Sequence, residues 1–323
     1  MNEKTIKILT RERANLLTGE NITIPHGYTV IGEGAFVDRN DIKRIEIPDS
    51  ILIIDDDAFL RCENLKEIII PESVVKIGSY VFVGCKSLES TTIPPSVKSI
   101  GELTFSSCIG CESLENINVD PNNQAYSSVE GVLFNKDKTV LIKYPDNKPQ
   151  KSYTIPNSVK IIEAEAFKGS LNLTSVLIPG SVAFIGDSAF FYCLRLTEVT
   201  IPSSVVKISG STFGGCERLE KICVDKNNLM YCDEDGILFN KKKTAMLVYP
   251  ANKTDPVYAI PCGVVTVDSG AFSDCKHLES VIMPESMTFI SKFAFNNCNK
   301  LKKPKLSDNT AFVSGVREGQ VFI

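Results

Sequence analysis

Leu65-Lys66-Glu67-Ile68-Ile69-Ile70-Pro71-Glu72-Ser73-Val74-Val75-Lys76-Ile77-Gly78 is the stretch that decides the fold. Ile68 and Ile70 stand two apart, the spacing of one face of a strand, and Leu65 leads into them. Pro71 has no N–H to give a ladder and stops the strand. Val74-Val75-Lys76-Ile77 reads as a second short extended piece, and Gly78 as the residue that turns the chain. The same order returns along the sequence. Ile-Pro pairs end at Pro25, Pro48, Pro71 and Pro94, each 23 residues after the last, and again at Pro156, Pro179 and Pro202. Pro261 and Pro284 continue the series, the latter after Met283. Phenylalanine keeps phase at Phe36, Phe59, Phe82, Phe105, Phe167, Phe190, Phe213, Phe272 and Phe295. A proline and usually a glycine in every repeat leave no room for a long amphipathic helix.

One such unit cannot bury its own apolar face, whereas stacked copies bury each Phe, Leu and Ile against its equivalent one repeat away. The expected architecture is therefore a mainly β solenoid of about nine repeats with little helix. Two insertions interrupt the period, and they resemble each other. Gly131-Val132-Leu133-Phe134-Asn135-Lys136 matches Gly236-Ile237-Leu238-Phe239-Asn240-Lys241, an offset of 105 residues that also relates Tyr144-Pro145 to Tyr249-Pro250. In each, two apolar pieces flank a polar turn, which predicts a β-hairpin that stays part of the solenoid. The boundaries read as an N-terminal cap over 1–21, one repeat domain over 22–306 with insertions at about 121–154 and 226–259, and a tail over 307–323. Thr10 to Leu17, ending at Gly19, predicts a short capping helix.

The unit resembles the 23-residue leucine-rich repeat of the BspA-like, or Treponema pallidum-type, family. Ile70-Pro71-Glu72-Ser73-Val74-Val75-Lys76-Ile77-Gly78 and Ala189-Phe190-Phe191-Tyr192-Cys193-Leu194-Arg195-Leu196 carry the likeness, which extends over about residues 22–306. The resemblance implies a right-handed, curved leucine-rich-repeat solenoid with a strand on the concave side of each coil. It also implies a cell-surface or secreted protein that adheres to a host or matrix protein.

Composition narrows the function from the other side. The net charge of −4 disfavours a non-specific nucleic-acid binder. No apolar run is long enough to span a bilayer, and the first nine residues lack the apolar core of a secretory signal. An intracellular interaction scaffold is accordingly the alternative. His26 and His277 are the two histidines; both sit in variable slots and read as solvated. Asp55-Asp56-Asp57 and Asp233-Glu234-Asp235 could in principle bind a cation or do acid–base work, but they read as solvated corners. No phosphate loop, nucleophile elbow or zinc-protease motif is present. The expectation is a chain without catalysis, metal or cofactor, with an enzyme as the remote alternative.

Eleven cysteines need an account. Seven lie three residues after a repeat phenylalanine: Cys62, Cys85, Cys108, Cys193, Cys216, Cys275 and Cys298. That column reads as small buried side chains, mostly reduced. Cys108-Ile109-Gly110-Cys111 falls where three residues are inserted and lacks the second ligand pair a structural zinc needs.

The remaining question is where a partner would bind. Outward positions of the concave strands are Arg44, Glu46, Glu67, Ile69, Ser90, Thr92, Asn116 and Asn118, then Ser175, Leu177, Glu198, Thr200, Lys221, Cys223, Ser280 and Ile282. They vary while the frame repeats, as a binding face requires and as a neutral solvated face also would. The hairpin tips Lys136-Asp137-Lys138 and Lys241-Lys242-Lys243 form a second candidate surface. The tail offers little apolar cover, which leaves a monomer or a weak end-to-end oligomer as the expected state.

Overall fold

The structure, a computed structural model, describes residues 6–106, 113–302 and the strand 311–312. The Cys108–Cys111 motif lies outside the described residues. The chain forms two compact units, residues 1–149 and 150–323. Both are built from the same coil: a long strand, a turn after Ile-Pro, a two-residue strand, and a corner that carries the phenylalanine.

In the first unit the short strands Ile8–Leu9, Val30–Ile31, Ile53–Ile54, Lys76–Ile77 and Ser99–Ile100 form one parallel ladder, each residue paired with its equivalent a repeat away. The long strands Asn21–Thr23, Arg44–Glu46 and Glu67–Ile69 form a second parallel sheet, and Ser90–Ile93 pairs with Asn116–Val119. The second unit repeats the plan. Ser152–Thr154, Ser175–Leu177, Glu198–Ile201 and Lys221–Val224 make its long-strand sheet, and Val257–Ala259 pairs with Ser280–Ile282. The one helix among the described residues, Arg11–Ala14, is a single turn.

The corners explain the phenylalanine. Seven of them turn on a left-handed residue two before the ring and another two after it. Asp57 and Arg61 do this around Phe59, and Ser188 and Tyr192 around Phe190. The ring is thereby aimed inward, and successive rings stack: Phe36 on Phe59 at 5.3 Å, Phe167 on Phe190 at 4.8 Å, Phe272 on Phe295 at 4.8 Å, within the range of favourable offset pairs. Tyr249 takes the same slot in the second insertion, 5.2 Å from Phe272.

Three expectations are refined. The solenoid has about 12 turns, because coils without a repeat phenylalanine also contribute rungs. Ile8–Leu9 opens one ladder, Ala245–Val248 of the second insertion pairs in parallel with Thr266–Val267, and Ala311–Phe312 extends Phe289–Ile290. Each insertion is a three-stranded meander rather than a two-stranded hairpin: Tyr126–Val129, Val132–Asn135 and Val140–Lys143 in the first, Tyr231–Glu234, Ile237–Asn240 and Ala245–Val248 in the second. Gly78, for its part, does not turn the chain by a positive φ. A Cβ there would lie 2.5 Å from the backbone nitrogen of Asp56, so glycine serves the close approach of one coil to the next.

The cysteine column also acquires a physical reason. Five thiols of the column donate to the carbonyl of the preceding coil's phenylalanine: Cys62 to Phe36 at 3.0 Å, Cys85 to Phe59 at 3.2 Å, Cys193 to Phe167 at 3.1 Å, Cys216 to Phe190 at 3.1 Å and Cys298 to Phe272 at 2.8 Å. Cys275 reaches that of Tyr249, which fills the phenylalanine slot, at 3.9 Å. Burial pushes the Cys62 thiol up to about 12, so it remains a donor rather than a nucleophile. Cys62, Cys193, Cys216, Cys223, Cys232, Cys262, Cys275 and Cys298 are free thiols. Arg39 replaces cysteine in the first repeat. Its guanidinium reaches the carbonyls of Ala14 at 3.0 Å and Leu17 at 2.7 Å, and Asp41 holds it in a bidentate pair. Those bonds satisfy carbonyls at the end of the short helix.

Candidate binding face

All sixteen outward positions lie on long strands. Twelve are exposed, and Asn116, Ser175, Cys223 and Ser280 are half-buried. The inward neighbours Ile45, Ile68, Ile117, Val176, Val199, Ile222 and Val281 are buried, so the strict alternation fixes which side chains face outward. The same face carries six further residues that counting from the leucine passes over: Asn21, Thr23, Ser152, Thr154, Val257 and Ala259. The Ile-Pro pairs at Pro25, Pro156 and Pro261 were the signal for them. Their coils follow the N-terminal segment or an insertion and lack the Phe-to-Leu spacing.

Charges on this face pair sideways between adjacent strands. In the first unit Arg44 lies 3.7 Å from Glu67, and the Thr23 hydroxyl donates to Glu46 at 3.1 Å. In the second, Lys221 meets Glu198 at 2.7 Å, and that carboxylate raises the lysine above its usual value. These pairs are exposed and stabilise little. They leave a surface of neutral polar groups punctuated by apolar side chains: Ile69 is 59 % exposed and Leu177 60 %. The two lie on different units. In the second unit Val257 and Ile282 add exposed apolar area on the adjacent strands Val257–Ala259 and Ser280–Ile282.

The second candidate surface, the lysine tips, is partly committed to structure. The Lys136 ammonium bonds the carbonyl of Asn123 and reaches that of Pro121 at 3.4 Å. Lys243 pairs with Glu234 at 2.8 Å. The acidic triplets are likewise occupied. Asp56 accepts the Ser79 N–H at 2.8 Å, Asp233 accepts the Val224 N–H at 2.7 Å, and Asp57 and Asp235 are left-handed turn residues. His26 and His277 are exposed. Among the described residues no cluster of three or more His, Cys, Asp or Glu side chains is placed to hold a metal. None of the described helices is long and apolar enough to cross a membrane.

Comparison with known proteins is consistent with this geometry. The structure is similar to a leucine-rich repeat protein from Eubacterium ventriosum, with 26 % identity, a TM-score of 0.65, and 93 % of this chain covering 81 % of that one. It is also similar to a leucine rich cell surface protein from Faecalibacterium prausnitzii, with 25 % identity, a TM-score of 0.53, and coverage of 94 % and 81 %. The pneumococcal vaccine antigen PcpA shares the fold at 21 % identity and a TM-score of 0.51, with coverage of 91 % and 73 %. No curated protein sequence matches the chain. The family described as BspA type leucine rich repeat region matches residues 14–137, 144–254 and 257–314, and the chain belongs to that family.

Proposed function

We propose that this chain is a non-catalytic protein-binding scaffold at the cell surface, and that the long-strand face carries the partner. The observation behind the reading is the face itself: a repeating frame of buried Ile and Val holds outward side chains that differ from strand to strand. Recognition needs a rigid support and variable contacts, and leucine-rich repeats supply both. The placement at the surface leans on the similar Faecalibacterium protein, whose description is that of a cell surface protein. An intracellular scaffold is the second reading. It is favoured by the thiol column, whose S–H groups must stay reduced to donate to the phenylalanine carbonyls.

Protease shaving of intact source cells separates the two. Fragments of this chain released before lysis support surface display, and complete protection until lysis sinks it. Binding of host or matrix proteins by the purified chain, weakened by Leu177→Glu or Ile282→Glu, would support the long-strand face. Binding unchanged by both substitutions would remove that face from the proposal.

A further inference from the structure

The short-strand side of the second unit carries an apolar surface that the repeat does not require. Leu229 is 81 % exposed, Met230 47 %, Val206 47 % and Phe184 44 %. Backbone and side-chain bonds bring the four together. The Asn228 amide donates to the carbonyls of Pro202 and Val205 at 2.8 and 3.0 Å, and the Ile208 N–H donates to the Tyr231 hydroxyl at 2.8 Å. Residues 229 and 230 are thereby held alongside Val206 and Lys207. Val206 N–H in turn donates to Ala183 at 2.9 Å, and Lys207 is the register partner of Phe184.

The first insertion has the same tethers, and there the four positions read differently. The Asn123 amide donates to Pro94 and Val97, and Ile100 N–H donates to the Tyr126 hydroxyl. Lys76 stands for Phe184, Lys98 for Val206, Gln124 for Leu229 and Ala125 for Met230. The fold tolerates polar or small residues at all four, so the apolar set is not a packing requirement.

Exposed lysines surround it. Lys160 accepts the Ala183 and Phe184 N–H groups on its carbonyl, Lys207 lies beside Phe184, Lys241 N–H donates to Met230 while its ammonium reaches the Lys226 carbonyl at 3.5 Å, and Lys242 is the exposed next residue of that turn. Among the described residues none of these five ammonium groups is in an ion pair, in contrast to Lys221 and Lys243. Asp225, on the same turn, uses a carboxylate oxygen to accept the Asn227 N–H at 2.8 Å. Exposed apolar side chains on neighbouring coils, beside lysines outside ion pairs, mark an interaction site.

We infer that this surface docks a protein segment in which apolar side chains are flanked by carboxylates. A second copy of the chain is disfavoured because the same lysines would face one another. Three of the four apolar side chains lie half-covered against the sheet, which suits contact with a partner's side chains better than insertion into lipid.

The test uses the purified full chain and fluorescence anisotropy. The probes are a labelled peptide of alternating glutamate and leucine, the same peptide with lysine for glutamate, and vesicles of phosphatidylglycerol or phosphatidylcholine. The expected result is saturable binding of the acidic peptide and none of the basic one. Leu229→Gln with Met230→Ala copies the first insertion, so folding is not at issue, and this variant should bind at least about tenfold more weakly, as loss of a central apolar anchor does. Lys207→Glu with Lys242→Glu should weaken it similarly. Absence of saturable binding, binding untouched by either double substitution, binding of phosphatidylglycerol vesicles alone, or self-association that the Leu229→Gln, Met230→Ala variant abolishes would each overturn the inference.

Discussion

The two insertions are one piece of structure written twice, and their differences show which parts of it are mandatory. Asn123 and Asn228 are fully buried and make the same bonds: the amide donates to two carbonyls of the preceding coil, and the side-chain oxygen accepts from the next turn. Asn135 and Asn240 each accept two backbone N–H groups and close the second turn. Tyr144 and Tyr249 fill the corner slot. The contrast lies beside that ring. In the first insertion Lys143 and Asp146 are both buried and form an ion pair at 2.7 Å. In the second, Val248 and Ala251 stand in their places. Packing alone therefore suffices for the meander, and the ion pair is a substitution for it rather than a condition of folding.

That conclusion carries the largest expected effect. Asp146→Ala leaves a buried ammonium without its carboxylate and should cost about 3–5 kcal/mol, read as a fall in the urea midpoint. Lys143→Val with Asp146→Ala copies the second insertion and should range from neutral to about 4 kcal/mol more stable. If the double variant is as unstable as the single one, the two insertions are not interchangeable and the comparison breaks.

The turn between the first two strands of each meander should show a smaller and matched effect. Gly131 and Gly236 have φ of +76°, and both are wedged against the long strand beside them. A Cβ on Gly131 would lie 3.1 Å from the Asn116 Cα, and one on Gly236 3.0 Å from the Lys221 Cα. Alanine at either should cost about 1–3 kcal/mol through left-handed strain and overpacking. Thermal unfolding would show it. Costs that differ between the two sites by more than the spread of such measurements would mean that the side chains of Asn116 and Lys221, not the shared backbone, set the penalty.

Most of the fold was legible in the repeat because period 23 and the Ile-Pro stop are properties of single residues. What was not legible depends on contacts between coils. The extra strand Tyr126–Val129 is built from Ser127 and Ser128, which carry no strand pattern and are held by bonds to Asn135 and Val119. The role of cysteine three after phenylalanine required the carbonyl of the coil before. The outward positions were counted from the leucine of each coil, a count that passes over Asn21, Ser152 and Val257, whose coils have none there. The apolar set around Leu229 escaped because its members are far apart in sequence, and only the Asn228 and Tyr231 tethers bring them to one place.

The smallest effect is the most specific. The Tyr126 and Tyr231 hydroxyls accept the N–H groups of Ile100 and Ile208, both at 2.8 Å. Burial raises both above the ordinary 10.0, because a phenolate is poorly solvated there. The folded chain therefore keeps these protons longer than the unfolded chain does. The resulting stability is complete below the ordinary value and is lost as pH rises through the folded value. Tyr126→Phe and Tyr231→Phe should each cost about 1 kcal/mol at neutral pH, for the lost acceptor of a half-buried N–H. Each should also flatten the decline of stability in the alkaline range. The two variants should match, since both tethers have the same length and the same kind of partner. A flattening in one variant but not the other would show that the neighbouring Asp268, which adds to the rise only at Tyr231, outweighs the shared burial.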